Sequence, residues 1–206
     1  MKRILLTLCL MAATLASTTS CISANNRHKE TVKETRTVNG FDRIDITSVG
    51  TIYFTQAEEY TFSIEGPKEY VDRTTTRVEN GQLTIGLSKG LKNVDGDLII
   101  RITAPDLTAV CFQGVGSFNC PSPLRLDHIS LELQGVGKLN IGDLHCRQAD
   151  IRVEGVGSAT VCLYCERLHA SVSGVGSVTL KGTAKTARFD QSGIGSIHRQ
   201  QLQTEE

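Results

Sequence analysis

Three polar residues recur at a spacing that invites a catalytic reading: Ser130, Asp150 and His169 stand 20 and 19 positions apart. Serine, acid and histidine perform acyl transfer when the histidine sits between the other two, taking the serine proton while the acid orients the ring. Glu132 and Glu154 offer a second chemistry, because two carboxylates about 5–9 Å apart across a sugar-sized cleft hydrolyse glycosidic bonds. Cys162 and Cys165 carry the C-x-x-C spacing of zinc and redox sites. Five Gly–apolar–Gly phrases resemble phosphate-cradling loops: QGVGSFN at 113–119, QGVGKLN at 134–140, EGVGSAT at 154–160, SGVGSVT at 173–179 and SGIGSIH at 192–198.

Which of these groups can meet depends on the elements that carry them. The centres of the five phrases are Val115, Val136, Val156, Val175 and Ile194, at intervals of 21, 20, 19 and 19, an internal repeat of solenoid length. Aligned on these centres, column −5 reads Val110, Leu131, Ile151, Ala170, Phe189, and column −3 reads Phe112, Leu133, Val153, Val172, Gln191. Columns +3 and +5 are mostly apolar again, with Asn119, Asn140, Thr160 and Thr179 between them at +4. Alternation of period two means strands. A third apolar pair sits at −12 (Leu124, Leu144, Leu163) and −10 (Leu126, Cys146, Cys165). Three short strands per coil of about twenty residues predict an all-β fold, a parallel β-helix of right-handed sense. Neighbouring coils lie about 4.8 Å apart, so five of them make a rod about 25 Å long.

The glycine phrase is then a corner. Gly114, Gly116, Gly135, Gly137, Gly155, Gly157, Gly174, Gly176, Gly193 and Gly195 bend the chain once per coil, with backbone angles that a Cβ would forbid. A nucleotide fingerprint needs a GxGxxG spacing and a following helix, and neither is present.

The same columns dismantle the other sites. Ala109, Ser130, Asp150, His169 and Arg188 share column −6, which puts Asp150, not His169, in the middle, so surface pairing of Asp150 with His169 is expected. Arg152 lies between Glu132 and Glu154, and Glu132 is within reach of Arg152 across strands. Alternation turns Cys162 outward and Cys165 inward, whereas Cys146 and Cys165 should stack about 5 Å apart as buried thiols, with a disulfide as the alternative. The five histidines fall in different columns, so no metal and no cofactor is expected.

Upstream, SVGT at 48–51 echoes the corner, and strands follow through residue 106, with Asn80-Gly81 as a hairpin turn. This half, 39–106, is expected to cap the first end of coils 107–198. The tail 199–206 (RQQLQTEE) is polar and leaves the other end weakly covered. Residues 1–21 read as a leader: Met1-Lys2-Arg3, an apolar run over 4–16, then small residues before Cys21. Cys21 is the candidate for lipidation, although Thr18 stands where such sites usually have Leu; the alternative is cleavage near Ala24. Residues 22–38 read as a polar tether. Lys plus Arg and Asp plus Glu number 22 each, a net charge of zero that gives no case for nucleic acid.

Together NGFDRIDI (39–46), GTIYFTQ (50–56), VENGQLTI (78–85), ITAPDL (102–107) and the glycine corners resemble the GIN-domain family of autotransporter-adhesin heads, over 39–198. The resemblance implies a β-helical domain outside the cytoplasm and supplies no catalytic residues. Residues and resemblance together predict a non-enzymatic cell-envelope protein, outer-membrane-anchored through Cys21 or periplasmic. It would offer a rigid surface to an envelope protein, a glycan or a host molecule. A carbohydrate-active enzyme and a structural assembly element, including a homo-oligomer joined at the open end, are the alternatives.

Overall fold

A computed structural model describes residues 30–88 and 97–204. The leader, Cys9 and the lipidation candidate Cys21 lie outside the described residues.

The chain runs β1 (Thr31–Thr35), β2 (Arg43–Ile46), β3 (Val49–Gln56), β4 (Thr61–Pro67), α1 (Lys68–Arg73), β5 (Thr74–Glu79), β6 (Gln82–Leu87) and β7 (Ile99–Ala104). It continues with β8 (Ala109–Phe112), β9 (Val115–Cys120), β10 (Leu124–Arg125) and β11 (His128–Leu133). Four long strands complete it: β12 (Val136–Val153), β13 (Val156–Val172), β14 (Val175–Gln191) and β15 (Ser196–Thr204). The long strands are whole coils whose ladder persists around the corners.

The coils stack in the predicted register. Leu131 pairs with Val110 on one side and Ile151 on the other, and Ile151, Ala170 and Phe189 continue the column. On the second face Phe118, Leu139, Ala159, Val178 and Ile197 align. On the third, Leu124, Leu144, Leu163, Gly182 and Leu202 do. Ladders of like residues thereby pack the interior, and most of these side chains are fully buried.

The SVGT echo is a full corner. Val49 pairs with Val115 and Gly50 with Gly116, so β2–β3 is the first coil of the same stack. Chain order and stacking order then part. β2 lies between β6 and β8, and β3 between β7 and β9, so the excursion 57–106 turns back onto the outer side of the first coil. The Asn80-Gly81 hairpin forms as expected and joins antiparallel β5 and β6. β4 runs antiparallel on β7, and α1 buries Tyr70 and Val71.

Two expected boundaries are wrong. Part of the tether is strand: β1 adds antiparallel to β4, and Val38 is buried. Arg36 ties this segment to the cap, its guanidinium donating to Val71 O (2.8 Å), Thr74 O (2.5 Å) and Thr76 Oγ1 (2.8 Å). At the other end, 199–204 belongs to β15, which pairs with β14 as a last coil. Charged, hydrophilic sequence hid both because edge strands bury little and keep polar side chains.

The glycine corners need space more than unusual angles. Gly116 does sit at φ +140°. Yet Gly114, Gly135, Gly137, Gly155, Gly174 and Gly176 do not lie at positive φ, and a Cβ on any of them would collide with backbone of the preceding coil. The last repeat departs: Gly193 (φ +84°) and Ile194 form a turn, and Ile194 is 85% exposed.

Candidate functional site

Flat faces built from stacked strands put one residue per coil into each outward column, and each face carries its own chemistry. The first face is charged. Ser130, Asp150, His169 and Arg188 align in one column. His169 Nδ1 lies 3.3 Å from Asp150 Oδ1, and its Nε2 lies 2.8 Å from Asp190 Oδ2. Both ring nitrogens therefore meet carboxylates and neither meets Ser130, so the histidine cannot take the serine proton. His169, with Arg188, holds the Asp190 carboxyl below the usual carboxylate range. Glu132 faces Arg152 in register, but its carboxylate accepts from Gln134 Nε2 at 2.7 Å, and among the described residues no ion pair joins it to Arg152. Sequence reasoning passed over Asp45 on this face. Burial pushes its carboxyl up, and its Oδ1 is buried without a hydrogen-bond partner.

The third face carries the paired thiols. Cys146 stands opposite Cys165, and Cys162 stands opposite Lys181, so the C-x-x-C pair is split. The hydrogen bond shared with Cys165, together with burial, holds the Cys146 thiol protonated. Burial pushes Cys120 up to about 12 and raises Cys111. A nucleophilic cysteine needs the opposite shift, and Cys165, moved down by the bond from Cys146, is buried away from solvent. Beside the thiols, His145 stacks on Tyr164 with ring centroids 4.9 Å apart. Among the described residues no group of three or more His, Cys, Asp or Glu is arranged to hold a metal.

The second face differs in kind. Beside the corner runs an apolar column, Val49, Val115, Val136, Val156 and Val175, the last four each about half exposed. Next comes a hydroxyl column, Thr51, Ser117, Ser158, Ser177 and Ser196, interrupted by Lys138. The third column runs from Arg101 and Tyr53 through Asn119, Asn140, Thr160, Thr179 and His198. From β9 onward Lys138 is the one Lys, Arg, Asp or Glu in these three columns; on the β7 side Arg101, ion-paired with Glu65 at 3.4 Å, adjoins Tyr53. Asn140 Nδ2 donates to Asn119 Oδ1 at 2.8 Å, and Asn119 Nδ2 donates to Ser117 Oγ at 3.0 Å, so side chains bond along and across the columns. Tyr53, which sequence reasoning did not single out, stands between Arg101 and Asn119 in the third column; aligning SVGT with the later phrases places it at +4.

Parallel ladders, glycine corners and an antiparallel cap define the class: a β-solenoid whose outer faces are free to vary while the interior stays constant. Within that class, the chain belongs to the family described as "Putative auto-transporter adhesin, head GIN domain", whose model matches residues 40–206. Among solved structures it is similar to a "putative adhesin" of Bacteroides fragilis, at 24% identity and TM-score 0.68, covering 82% of this chain and 97% of that one. A "putative adhesin" of Parabacteroides distasonis aligns at 21% identity and TM-score 0.79, covering 86% and 76% respectively. A protein of the same organism described as a "Putative lipid binding protein" aligns at 18% and 0.76, with the same coverages. At these identities the likeness concerns the fold. No curated protein matches the chain.

Proposed function

We propose that this chain is a non-enzymatic, envelope-associated binding protein that presents its second face to a glycan or protein partner. The observation that carries the reading is the contrast between faces. The first face bears Arg43, Asp45, Glu132, Asp150, Arg152, Glu154, Arg188 and Asp190 on its outward columns. The second replaces charge with valine, hydroxyl and amide columns. Desolvating charges costs far more than desolvating hydroxyls and amides that find new partners. A wide, nearly uncharged sheet face is therefore the one whose burial against a neutral partner is favourable. Adhesin-head membership agrees with this role. Among the described residues no helix is long and apolar enough to cross a membrane, so attachment would come from Cys21. Mass spectrometry of the native N-terminus tests that anchor, expecting a lipidated Cys21.

The test of binding is a glycan and envelope-protein array probed with the exported chain. Ser158→Lys and Thr160→Glu on the second face should abolish retention, while Ser171→Lys on the first should not. Polysaccharide cleavage that is lost on replacing Glu132 or Glu154 would overturn the reading in favour of an enzyme.

One observation favours a second reading. Among the described residues β15 pairs only with β14, and it leaves Phe189, Ile197 and Leu202 partly exposed at the coil end. Concentration-dependent oligomers that vanish on deleting 190–206 would assign that end to self-assembly.

A further inference from the structure

At the edge of the second face, where it turns toward the third, the wall drops into a cavity of about 290 Å³ lined by Tyr53, Asn119, Pro121, Asn140, Gly142 and Thr160 among others. We propose that this cavity is the subsite for a single neutral pyranose ring, an inference that rests on the glycan form of the reading above.

Four features converge there. Tyr53 is 39% exposed and stands in the column between Arg101 and Asn119, which continues as Asn140 and Thr160, one residue per coil. Coils repeat at about 4.8 Å, close to the width of a sugar ring, so a pyranose against Tyr53 spans to the next polar side chains along the column. Arg101 lies over the Tyr53 ring, 5.9 Å from its centroid, and braces it. An aromatic ring held in this way offers a flat apolar surface to the C–H face of a sugar while its hydroxyl stays available.

The polar groups are also left with capacity. Asn119 is spent: its amide donates to Ser117 Oγ and Ile52 O, and its oxygen accepts from Asn140. That last bond fixes the Asn140 amide and leaves its oxygen and second N–H open. Among the described residues the Thr160 and Tyr53 hydroxyls have no hydrogen-bond partner. Tyr53, Asn140 and Thr160, which between them carry an acceptor, a donor and two hydroxyls, thus line one largely apolar hollow, the mixed pattern that the C–H face and hydroxyls of a sugar satisfy. No Asp, Glu, Lys or Arg lines the cavity. The guanidinium beside Tyr53, that of Arg101, is ion-paired with Glu65 at 3.4 Å, so a neutral polyol suits the hollow better than an ion does.

The experiment is NMR of the exported chain, isotopically labelled and titrated with methyl glycosides of glucose, galactose, mannose and N-acetylglucosamine. At least one should give saturable shifts of the Asn119 and Asn140 side-chain amides and of Thr160, at a Kd of about 1–10 mM. Tyr53→Ala and Asn140→Leu should each weaken it about tenfold or more, while Tyr53→Phe keeps most of it and the variants keep the wild-type fold spectrum elsewhere. Absence of saturable shifts at these residues, or equal shifts in the variants, overturns the subsite. Array retention separates the two ideas. Glycans held equally by wild type, Tyr53→Ala and Asn140→Leu would leave the second face as the binding surface and remove the pyranose from this cavity.

Discussion

Gly137→Ala tests why the corners are glycine. If glycine served to relax the backbone, this substitution would be mild, since Gly137 is not in the left-handed region. The geometry says otherwise. A Cβ on Gly137 would run into the Gly116 carbonyl oxygen and lie 2.9 Å from its carbonyl carbon, whereas ordinary contact begins near 3.4 Å. The coils must part by at least half an ångström there, and by more at the oxygen. The ladder bonds beside it, Val136 N to Gly114 O and Val156 N to Gly135 O, are each 3.0 Å and would lengthen together. Overpacking costs about 1–3 kcal/mol, and two weakened hydrogen bonds add about 1 kcal/mol each. The sum is a loss of about 3–5 kcal/mol, or about 6–20 °C in Tm for a domain of this size. The control is Gly40→Ala: Gly40 lies at φ +69° with nothing within 4 Å of the added carbon. It should lose only the backbone strain of about 1–2 kcal/mol. Urea unfolding gives both values, and amide exchange over 134–158 shows whether the loss is local. A Gly137→Ala cost no greater than that of Gly40→Ala would refute close stacking as the reason for the corners.

Three further outcomes follow from other contacts. Arg36→Ala should destabilise the cap by about 2–3 kcal/mol in urea unfolding, because a mostly buried guanidinium leaves three acceptors, Val71 O, Thr74 O and Thr76 Oγ1, unpaired. Asp127 is held at about 2, down from 3.8, by the Arg147 guanidinium. A depressed carboxylate stabilises above its unfolded value, so its contribution is present above about pH 4 and lost as pH falls toward 2; Arg147→Gln should flatten the stability profile across that window. Fully buried, with its thiol also pushed up to about 12, Cys120 should be the slowest of the described cysteines to label with a maleimide at pH 8, and should react only when the coils open.

Much of the architecture was legible because a solenoid writes its neighbours into its period. Once twenty residues make one coil, Leu131 touching Ile151 follows from arithmetic, and so does Asp150 standing between Ser130 and His169. What hid was whatever broke the period. The separation of 66 positions from Val49 to Val115 concealed that these two are partners, since the excursion carrying β4, α1 and β6–β7 folds back outside the coil that precedes it. α1 was missed because six residues after a proline give too little pattern to read. Tyr53 was missed for the same cause: it belongs to the asparagine column only after that long gap is closed.

Column order also bears on what such a scaffold can become. A catalytic triad needs three different groups in a fixed order over three coils, and the first face shows how one misplaced residue defeats it. With Asp150 ahead of His169 and Asp190 behind, both imidazole nitrogens are engaged, and the serine two coils back has no base. Binding asks less of the same geometry. A column of Asn, Thr or Ser repeats a similar polar group at the same spacing in each coil, so exchange of one hydroxyl or amide for another leaves the pattern in place. Hydroxyl and amide columns on a corner-braced face therefore tolerate drift that a reaction centre could not. A scaffold of this kind accumulates ligand-contacting surface more readily than catalysis, provided its corners remain glycine.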